Sequence, residues 1–389
     1  MENMRRFIGF VAMSVGMLCL TLGCEREPIL HLHRENHIDI QFPRVRLDLT
    51  VLWNYDNTVN WQNEWMYGWD VADQSLFGEI GYHEPTCFEV RRYFTGDNPN
   101  ASHDEVSEHF VKGNSLVASY KEGYYDILAW NEIQTSDGIQ SVILDESSSL
   151  DRVTARTNQS THRVSTTMQR VTRQSSAYYQ PEELFAAYVE NMLITKNPED
   201  YDYYDEELQA YVKRIDAELN PLVYIYLIQV ILHNNNGKIT GVDGNGSLSG
   251  MSVGTCLNTG VTDSRDINVY FNTRFKKGVE LKSGEVVDIT GARTTTFGVC
   301  NMNPFKAPTR QEINDTKEHS VEMNFLFSNG RDSTMVFDVT KQVRQRYRGG
   351  VLTIELDMDT VPLPYRSGGS SFDPVVEDFE DGGTHEFEM

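Results

Sequence analysis

One uninterrupted apolar stretch decides the fold class. It has the sequence Val223-Tyr224-Ile225-Tyr226-Leu227-Ile228-Gln229-Val230-Ile231-Leu232. β-Branched and aromatic residues dominate it, as in strands. Because apolar side chains occupy both alternating faces, the stretch predicts a strand buried on both sides, at the centre of a β-sandwich core. Asn236-Gly237 follows closely and is a dipeptide typical of hairpin turns.

Alternating segments downstream extend this sandwich. Asn329-Gly330 separates two of them and predicts a type I′ hairpin, since Asn-Gly readily supplies two positive φ angles. We therefore predict a C-terminal β-sandwich domain over residues 222–365. Its further strands are expected at residues 266–272, 286–290, 294–300, 321–327, 334–339 and 351–358.

A second set of strands lies upstream. Val45, Leu47 and Leu49 alternate with polar residues, which indicates a half-buried strand. Short strands separated by turn residues are also expected at 88–94, 115–120, 123–130 and 141–144, a spacing that favours an antiparallel sandwich. We predict an N-terminal β-sandwich domain over residues 43–170. Residues 147–176 are polar, and either edge strands or a loop fit them.

The segment between the two domains carries helical spacing. Residues 181–193 and 206–219 are expected to form two helices, so residues 171–221 are predicted as a helical connector. In the second helix Asp205 is placed to cap the first turn. The apolar residues at helical spacing are Leu208, Tyr211, Val212, Ile215 and Leu219. The predicted fold is thus mainly β, with two tandem antiparallel β-sandwich domains and a short helical insert between them.

The N-terminus resembles an export signal. Arg5 and Arg6 precede an almost uncharged run over residues 7–22, and Thr21-Leu22-Gly23-Cys24 closes it. A cysteine directly after glycine at the cleavage point resembles the bacterial lipobox. We expect a signal peptide over residues 1–23, lipidation of Cys24 and a polar tether over residues 24–42. The alternative is an ordinary cleaved signal in which Cys24 is incidental.

Charge and cysteine content narrow the classes of function. The net charge of the 389 residues is -23 and the pI is near 4.8, so no basic surface is available for nucleic acid. Membrane attachment would then come from the lipid. Cys256 and Cys300 could form a bridge, but two buried free thiols are favoured. Residues 366–389 form an acidic tail that we expect to be disordered when the protein is alone.

The sequence shows no catalytic motif, metal-binding motif or cofactor motif. Nucleophile elbows, zinc-protease helices and nucleotide-binding glycine loops are all missing, so we expect no enzyme activity and no cofactor. His31, His33 and His37 lie in the tether and are interpreted as a solvated linker. The alternating pattern from Asp243 to Ser247 lacks the glutamate of a calcium loop and favours a glycine-rich turn.

Four stretches carry a resemblance to known proteins: Val45-Arg46-Leu47-Asp48-Leu49, Gly123-Tyr124-Tyr125-Asp126-Ile127-Leu128-Ala129-Trp130-Asn131, Gly246-Ser247-Leu248-Ser249-Gly250-Met251 and Phe337-Asp338-Val339-Thr340. They resemble stretches of a family of Bacteroides-type surface lipoproteins. These proteins are similar to the fimbrillin-type anchors and minor subunits of Bacteroides-class pili. The resemblance implies an N-terminal lipid and two transthyretin-like β-sandwich domains in tandem.

Two functions follow from this resemblance and from the aromatic content. The first is an outer-membrane or cell-surface lipoprotein with a structural or adhesive role, either a fimbrial anchor or a minor subunit, with pilus subunits as partners. The second is a glycan-binding surface lipoprotein of a polysaccharide-uptake system. Trp61, Trp65 and Trp69 motivate the second, because exposed indole rings stack on sugars, although packing in a core or loop is the favoured interpretation of these residues.

Overall fold

The computed structural model describes residues 43–51, 64–65, 81–102, 105–133, 140–146, 150 and 153–364. The predicted signal peptide, Cys24, the tether with its histidines, and the acidic tail lie outside these residues. The described part is mainly β, as predicted. Within it, no helix combines the length and the apolar character needed to cross a bilayer.

The first half of the chain contains strands from both sides of the predicted domain boundary. They are β1 (Arg44–Val51), β2 (Cys87–Gly96), β3 (Glu105–Lys112), β4 (Ser115–Ser119), β5 (Gly123–Asn131), β6 (Val142–Glu146), β7 (Val153–Thr157), β8 (Gln159–Arg163), β9 (Ser176–Tyr178), β10 (Phe185–Ile194), β11 (Tyr203–Asp205) and β12 (Ala210–Pro221). A short helix, α1 (Thr166–Thr172), precedes β9, and a 3-10 turn covers Pro198–Asp200.

The second half adds the remaining strands and two short helices. The strands are β13 (Tyr224–His233), β14 (Ile239–Ser252), β15 (Gly254–Cys256), β16 (Asp266–Asn272), β17 (Arg274–Glu280), β18 (Val286–Thr296), β19 (Ser320–Phe327), β20 (Asp332–Asp338) and β21 (Gly350–Asp357). The helices are α2 (Arg310–Asn314) and α3 (Thr340–Gln345). The strands expected at 286–290 and 294–300 are largely one strand, β18.

The predicted helical connector is wrong, because both of its segments are strands. In β12, Ile215, Ala217 and Leu219 alternate toward the core, and β1 pairs with β12 in parallel along residues 212–219. Two residues four apart share a face in a helix and in a strand alike, so Ile215 and Leu219 fit both periods. The continuous pairing with β1 shows that this segment is a strand.

The helix predicted over residues 181–193 is wrong for a related reason, since residues 185–194 form β10. Its inward residues alternate up to Val189 and then resume at Met192, because a bulge shifts the register between them. Asn191 has a φ of 54° at this bulge, and its N–H donates to Asp126 Oδ1 over 2.8 Å. The bulge converts an alternating pattern into one that mimics helical spacing.

The N-terminal sandwich is built from β1–β5 and β10–β12. The strand order is β3-β2-β5-β10-β12-β1-β4, and β11 adds to the end of β12. Between the two layers lies an apolar core that includes Val45, Leu47, Phe88, Ile127 and Leu219. The sheets therefore do not follow the predicted boundaries at residues 170 and 221.

The C-terminal sandwich packs a sheet of order β17-β18-β13-β21 against one of order β20-β19-β14-β16-β9-β8. As predicted, β13 is central and buried on both faces. Ile228 and Val230 face the main core, while Leu227 and Ile231 face a second cluster on the outer side of the sheet. Of the polar region 147–176, only β8 forms an edge strand, at the end of the larger sheet; β7 and β9 each lie between two strands, and residues 166–172 form α1.

Two turns differ from their sequence interpretation. Asn236 and Gly237 both have positive φ and form a tight turn, but β13 and β14 belong to different sheets, so the turn crosses between layers and makes no hairpin. At the β19–β20 hairpin only Gly330 has positive φ. The predicted type I′ turn there is wrong, and the geometry is that of a type I turn with a glycine bulge. The stretch from Asp243 to Ser247 lies inside β14, at a register shift, rather than in a turn.

A third apolar cluster joins the two sandwiches. Trp130 and Leu184 from the N-terminal side meet Val223, Leu257 and Phe297 from the C-terminal side. Residues 180–184 reinforce the contact, since the Thr295 N–H donates to Gln180 Oε1 and the Thr295 hydroxyl donates to the Pro181 carbonyl. The shared core holds the two sandwiches together through buried side chains.

Candidate partner-docking edge

Of the three tryptophans considered for sugar stacking, Trp65 is the one that the described residues include, and it forms no exposed platform. Trp65 is 7 % exposed and packs against Ile225, Leu227 and Val351 on the outer face of the C-terminal sheet. Trp130 is also buried. Trp61 and Trp69, like Cys24, lie outside the described residues. Burial of Trp65 removes it as an exposed stacking surface.

Thiols and metal ligands give no site among the residues that the structure covers. Cys87, Cys256 and Cys300 form no disulfide with one another; Cys300 is buried as expected, whereas Cys256 is only partly buried. In the same part of the chain, no group of three or more His, Cys, Asp or Glu side chains has a metal-binding arrangement.

The feature that stands out is one side of strand β12, which we call the β12 edge. On its other side, β12 pairs with β1 from Val212 to Leu219. On the β12 edge, pairing occurs only at the two ends: β11 pairs with residues 210–212, and β10 pairs with residues 220–221. The middle of this edge, residues 213–219, pairs with no other described strand.

Hydrogen-bond direction identifies the groups on the β12 edge. The Arg214 N–H points away from β1, because it donates to Asp202 Oδ2 over 2.6 Å. Backbone groups two residues apart in a strand point the same way, so those of Asp216 and Glu218 also face the β12 edge. The Glu218 carbonyl accepts from Asn220 Nδ2 over 3.2 Å. The Asp216 N–H and C=O have no hydrogen bond to any other described residue.

The surroundings of the β12 edge match what an extended segment needs. β10 and β12 diverge after the Ala186–Asn220 pair, and the half-buried side chains of Val189 and Ile215 flank the gap. A strand entering here would direct alternate apolar side chains to the core between Val189 and Ile215. Its other side chains would point outward with Arg214 and Asp216.

An ion-pair network fixes the outer face beside the edge. Asp48 lies 2.9 Å from Arg214 Nε and 3.0 Å from Arg46 Nε, and Arg214 also lies 3.4 Å from Asp216 Oδ1. Partial burial acts to raise the pKa of Asp48, but hydrogen bonds from Arg46 and Ser115 outweigh it and hold that pKa below its ordinary value. The carboxylate therefore stays charged and keeps β1 and β12 aligned.

Two edges of the C-terminal sandwich, β21 and β17, are covered or interrupted. At β21, Gln342 of α3 bonds both backbone groups of Thr353, each over 2.8 Å. At β17 a register shift after Lys276 interrupts the strand, and lysine side chains line it, as on edges that resist pairing. The β12 edge lacks such a cover over residues 215–218 among the described residues.

Sequence reasoning missed the β12 edge because it interpreted residues 206–219 as a helix. A signal was present: Ile215, Ala217 and Leu219 alternate with Arg214, Asp216 and Glu218, the pattern of a half-buried strand. The gap itself depends on where β10 leaves β12, which no local pattern shows.

Comparison with known proteins finds structural similarity. No protein-family model matches the sequence, and no curated protein matches it. Among solved structures, the chain is similar to a candidate adhesin from Bacteroides ovatus, with 15 % identity, 88 % of this chain and 98 % of that chain covered, and a TM-score of 0.47. The similar structures include candidate adhesins, a candidate polysaccharide-binding protein and fimbrial proteins.

Two of them come from Porphyromonas gingivalis. The fimbrial anchor protein Mfa2 shares 10 % identity, with 81 % of this chain and 90 % of that chain covered and a TM-score of 0.39. The tip fimbrial protein Mfa3 shares 7 % identity, with coverage of 76 % and 81 % and a TM-score of 0.31. These are the kinds of protein that the sequence resemblance pointed to. At such identities and TM-scores, no function passes from those proteins to this chain.

Proposed function

We propose that this protein is a lipid-anchored structural component of a cell-surface fimbrial or adhesive assembly, and that an assembly partner adds an extended segment to the β12 edge. The observation that carries the proposal is the middle of the β12 edge, which pairs with no described strand and lies beside a half-buried apolar gap. Strand addition combines main-chain hydrogen bonds with side-chain pockets on alternate positions. The proposal involves no catalytic step.

The anchoring half of the proposal is supported by Thr21-Leu22-Gly23-Cys24 at the end of an apolar run. A triacylated cysteine would hold the chain firmly on a membrane, since each buried methylene contributes about 0.8 kcal/mol. Metabolic labelling with a palmitate analogue tests it. We expect label on the wild type and none on Cys24→Ala; a Cys24→Ala variant that stays membrane-bound contradicts anchoring by this residue.

The docking half is tested by proline at position 216. Asp216→Pro removes an N–H at the centre of the β12 edge that has no partner among the described residues, and it leaves the ladder to β1 intact, because the Asp216 backbone faces away from β1. Asp216→Ala is the matched control, since it removes the same carboxylate and keeps the N–H. Both variants should fold with the wild-type circular-dichroism spectrum.

The readout is co-purification from the envelope of the native cell, with bound proteins identified and quantified by mass spectrometry. We expect pilus subunits with the wild type and with Asp216→Ala, and about tenfold less with Asp216→Pro, since loss of a buried main-chain bond is worth roughly 1–2 kcal/mol. Equal recovery by all three would place the partner elsewhere. Recovery of no fimbrial or adhesive protein by the wild type would reject the assembly role.

A further inference from the structure

Residues 152–181 contain no aspartate or glutamate, although the whole chain has a net charge of -23. This acid-free region includes β8, α1 and β9. Three of its arginines, Arg163, Arg170 and Arg173, lie within eleven positions of one another and are all exposed. We call these three residues the basic strip. In a protein this acidic, a local run of positive charge is the natural site for an anionic segment.

The fold holds the basic strip firmly in place. Ser165 caps α1 by accepting from the Met168 N–H over 3.1 Å, and its own hydroxyl donates to Glu322 Oε2 over 2.9 Å. Met168 is fully buried against Val164 and Ala177, with Val336 of β20 packed alongside. The apolar side of the helix is thus buried on the outer face of the larger sheet. Neither Arg163 nor Arg173 has an ion pair with a described acidic side chain.

The chain leaves the described structure close to this strip. The Pro364 carbonyl accepts from Asn329 Nδ2 over 3.0 Å and from Arg331 Nη1 over 3.4 Å, so it is held at the β19–β20 turn. Lys238 fixes the preceding residues through the Met358 and Val361 carbonyls. From Arg331 to Val336, where α1 packs, β20 rises by roughly 17 Å.

The sequence after Pro364 has the reach and the charge to meet the basic strip. Residues 365–372 can span up to about 27 Å when extended, which exceeds the rise along β20 from Arg331 to Val336. The acidic residues then follow at once, and the exposed Val171 offers an apolar contact between the arginines. The acidic residues are Asp373, Glu377, Asp378, Glu380 and Asp381.

We infer that the acidic segment 373–381 docks in cis on the basic strip of β8 and α1. The tether raises its effective concentration to about the millimolar range, so several weak ion pairs suffice to hold it. Because exposed ion pairs are screened by salt, docking is strong at low ionic strength and weak at high. The inference is independent of the β12 edge, which lies in the other sandwich.

Limited digestion of the full chain with a glutamate-specific protease tests this. The enzyme cleaves after Glu377 and Glu380, and mass spectrometry follows loss of the C-terminal fragment. In low salt we expect the wild type to be cut about tenfold more slowly than a variant carrying Arg163→Gln, Arg170→Gln and Arg173→Gln, the effect of about three exposed ion pairs. In 0.5 M salt the screening length is roughly threefold shorter than in low salt, so the two cleavage rates should converge.

A second triple variant controls for the change in net charge. Lys277→Gln, Lys282→Gln and Arg310→Gln remove three exposed positive charges outside the basic strip, and we expect the wild-type rate at low salt. Equal rates for all three proteins at low salt would overturn the inference. If the first triple variant does not fold, Arg173→Gln alone must still speed cleavage.

Dilution separates docking in cis from docking on a second copy. Protection in cis should not change as the protein concentration is varied from about 1 to about 100 µM. This range spans ordinary weak self-association (about 10 µM). Protection that disappears on dilution, together with a dimer at high concentration, would contradict docking in cis.

Discussion

The two sandwiches of this protein differ in how they treat their strand edges. In the C-terminal sandwich, Gln342 covers the β21 edge and a bulge with lysines interrupts β17. In the N-terminal sandwich, β10 and β12 separate and leave the middle of the β12 edge without a partner among the described strands. Unpaired edges are generally covered because they recruit other strands. One sandwich therefore has the character of a closed support, and the other offers a place for a partner.

Burial follows the same contrast. The C-terminal core is closed around fully buried residues such as Phe325 and Ile228, whereas Val189 and Ile215 beside the gap are only half-buried. Completing the N-terminal core by an added strand would bury more of these two side chains.

The largest effect is expected in the closed core. Phe325→Ala should lower the free energy of unfolding by about 3–5 kcal/mol, because the ring is fully buried and its loss leaves a cavity. Val189→Ala, beside the gap, should cost no more than about 1 kcal/mol, since the site is already part-open. Urea denaturation followed by circular dichroism checks both. Equal losses would mean that the N-terminal sandwich is as closed as its neighbour.

The next effect depends on pH. His319 is fully buried in the C-terminal sandwich. Burial lowers the pKa of His319 to about 4, and the nearby Arg344 also lowers it, whereas a hydrogen bond to the Ser249 carbonyl acts to raise it. The folded state thus holds the neutral ring, and the unfolded chain takes up the proton first. Stability should fall as pH drops from 6.5 to 4, by roughly 3 kcal/mol in total, and change little from this group below pH 4.

His319→Gln is the control for this pH dependence. Its unfolding free energy should vary less between pH 6.5 and pH 4 than that of the wild type, measured in urea at half-unit steps of pH. Identical slopes for the two proteins would assign the acid sensitivity to other groups.

A smaller effect is expected where the N-terminal layers meet at β3 and β4. Arg92 donates to the Ser119 carbonyl over 2.9 Å, contacts His109 Nε2 at 2.5 Å and lies 4.5 Å from the centre of the Tyr120 ring. Arg92→Ala should cost about 1–3 kcal/mol. The exposed Arg214→Ala should cost less than about 1 kcal/mol. A reversed order in thermal or urea unfolding would show that Arg92 does not hold this end together.

The smallest effect concerns the covered edge of β21. Gln342→Ala should cost about 1 kcal/mol, because Thr353 loses a donor and an acceptor, and it should also promote self-association through the uncovered edge. Gln345→Ala, on the same helix and exposed, is the control. Sedimentation at several concentrations compares them. If the Gln342→Ala protein stays as monomeric as the control, the glutamine is not what closes this edge.

Part of this architecture could be predicted from local patterns and part could not. The central strand over Val223 to Leu232 is predicted correctly, because a strand that is apolar on both faces must be buried on both faces. The sandwich class followed from short alternating strands. By contrast, β10 and β12 were assigned as helices, since the bulge at Asn191 and the four-residue spacing of Ile215 and Leu219 mimic a helical period.

The β12 edge could not be predicted from local sequence patterns. An open edge is defined by the strand that fails to pair, and that depends on contacts between residues far apart in sequence, such as Ala186 with Asn220. The same holds for Trp65: the sequence favours packing in a core or loop but leaves a sugar platform open, and only the packing of residues 64–65 against β13 shows that the ring is buried. Local chemistry identifies candidate residues, while long-range pairing decides their exposure.

Amide hydrogen exchange at Asp216, resolved by NMR, tests the open β12 edge most directly. In the free protein we expect the Asp216 N–H to exchange fast and those of Ile215 and Ala217, which face β1, to exchange slowly. Addition of the partner should make Asp216 as slow as its neighbours. An Asp216 amide that is already protected in the free protein, or that stays fast in the complex, would contradict strand addition at this edge.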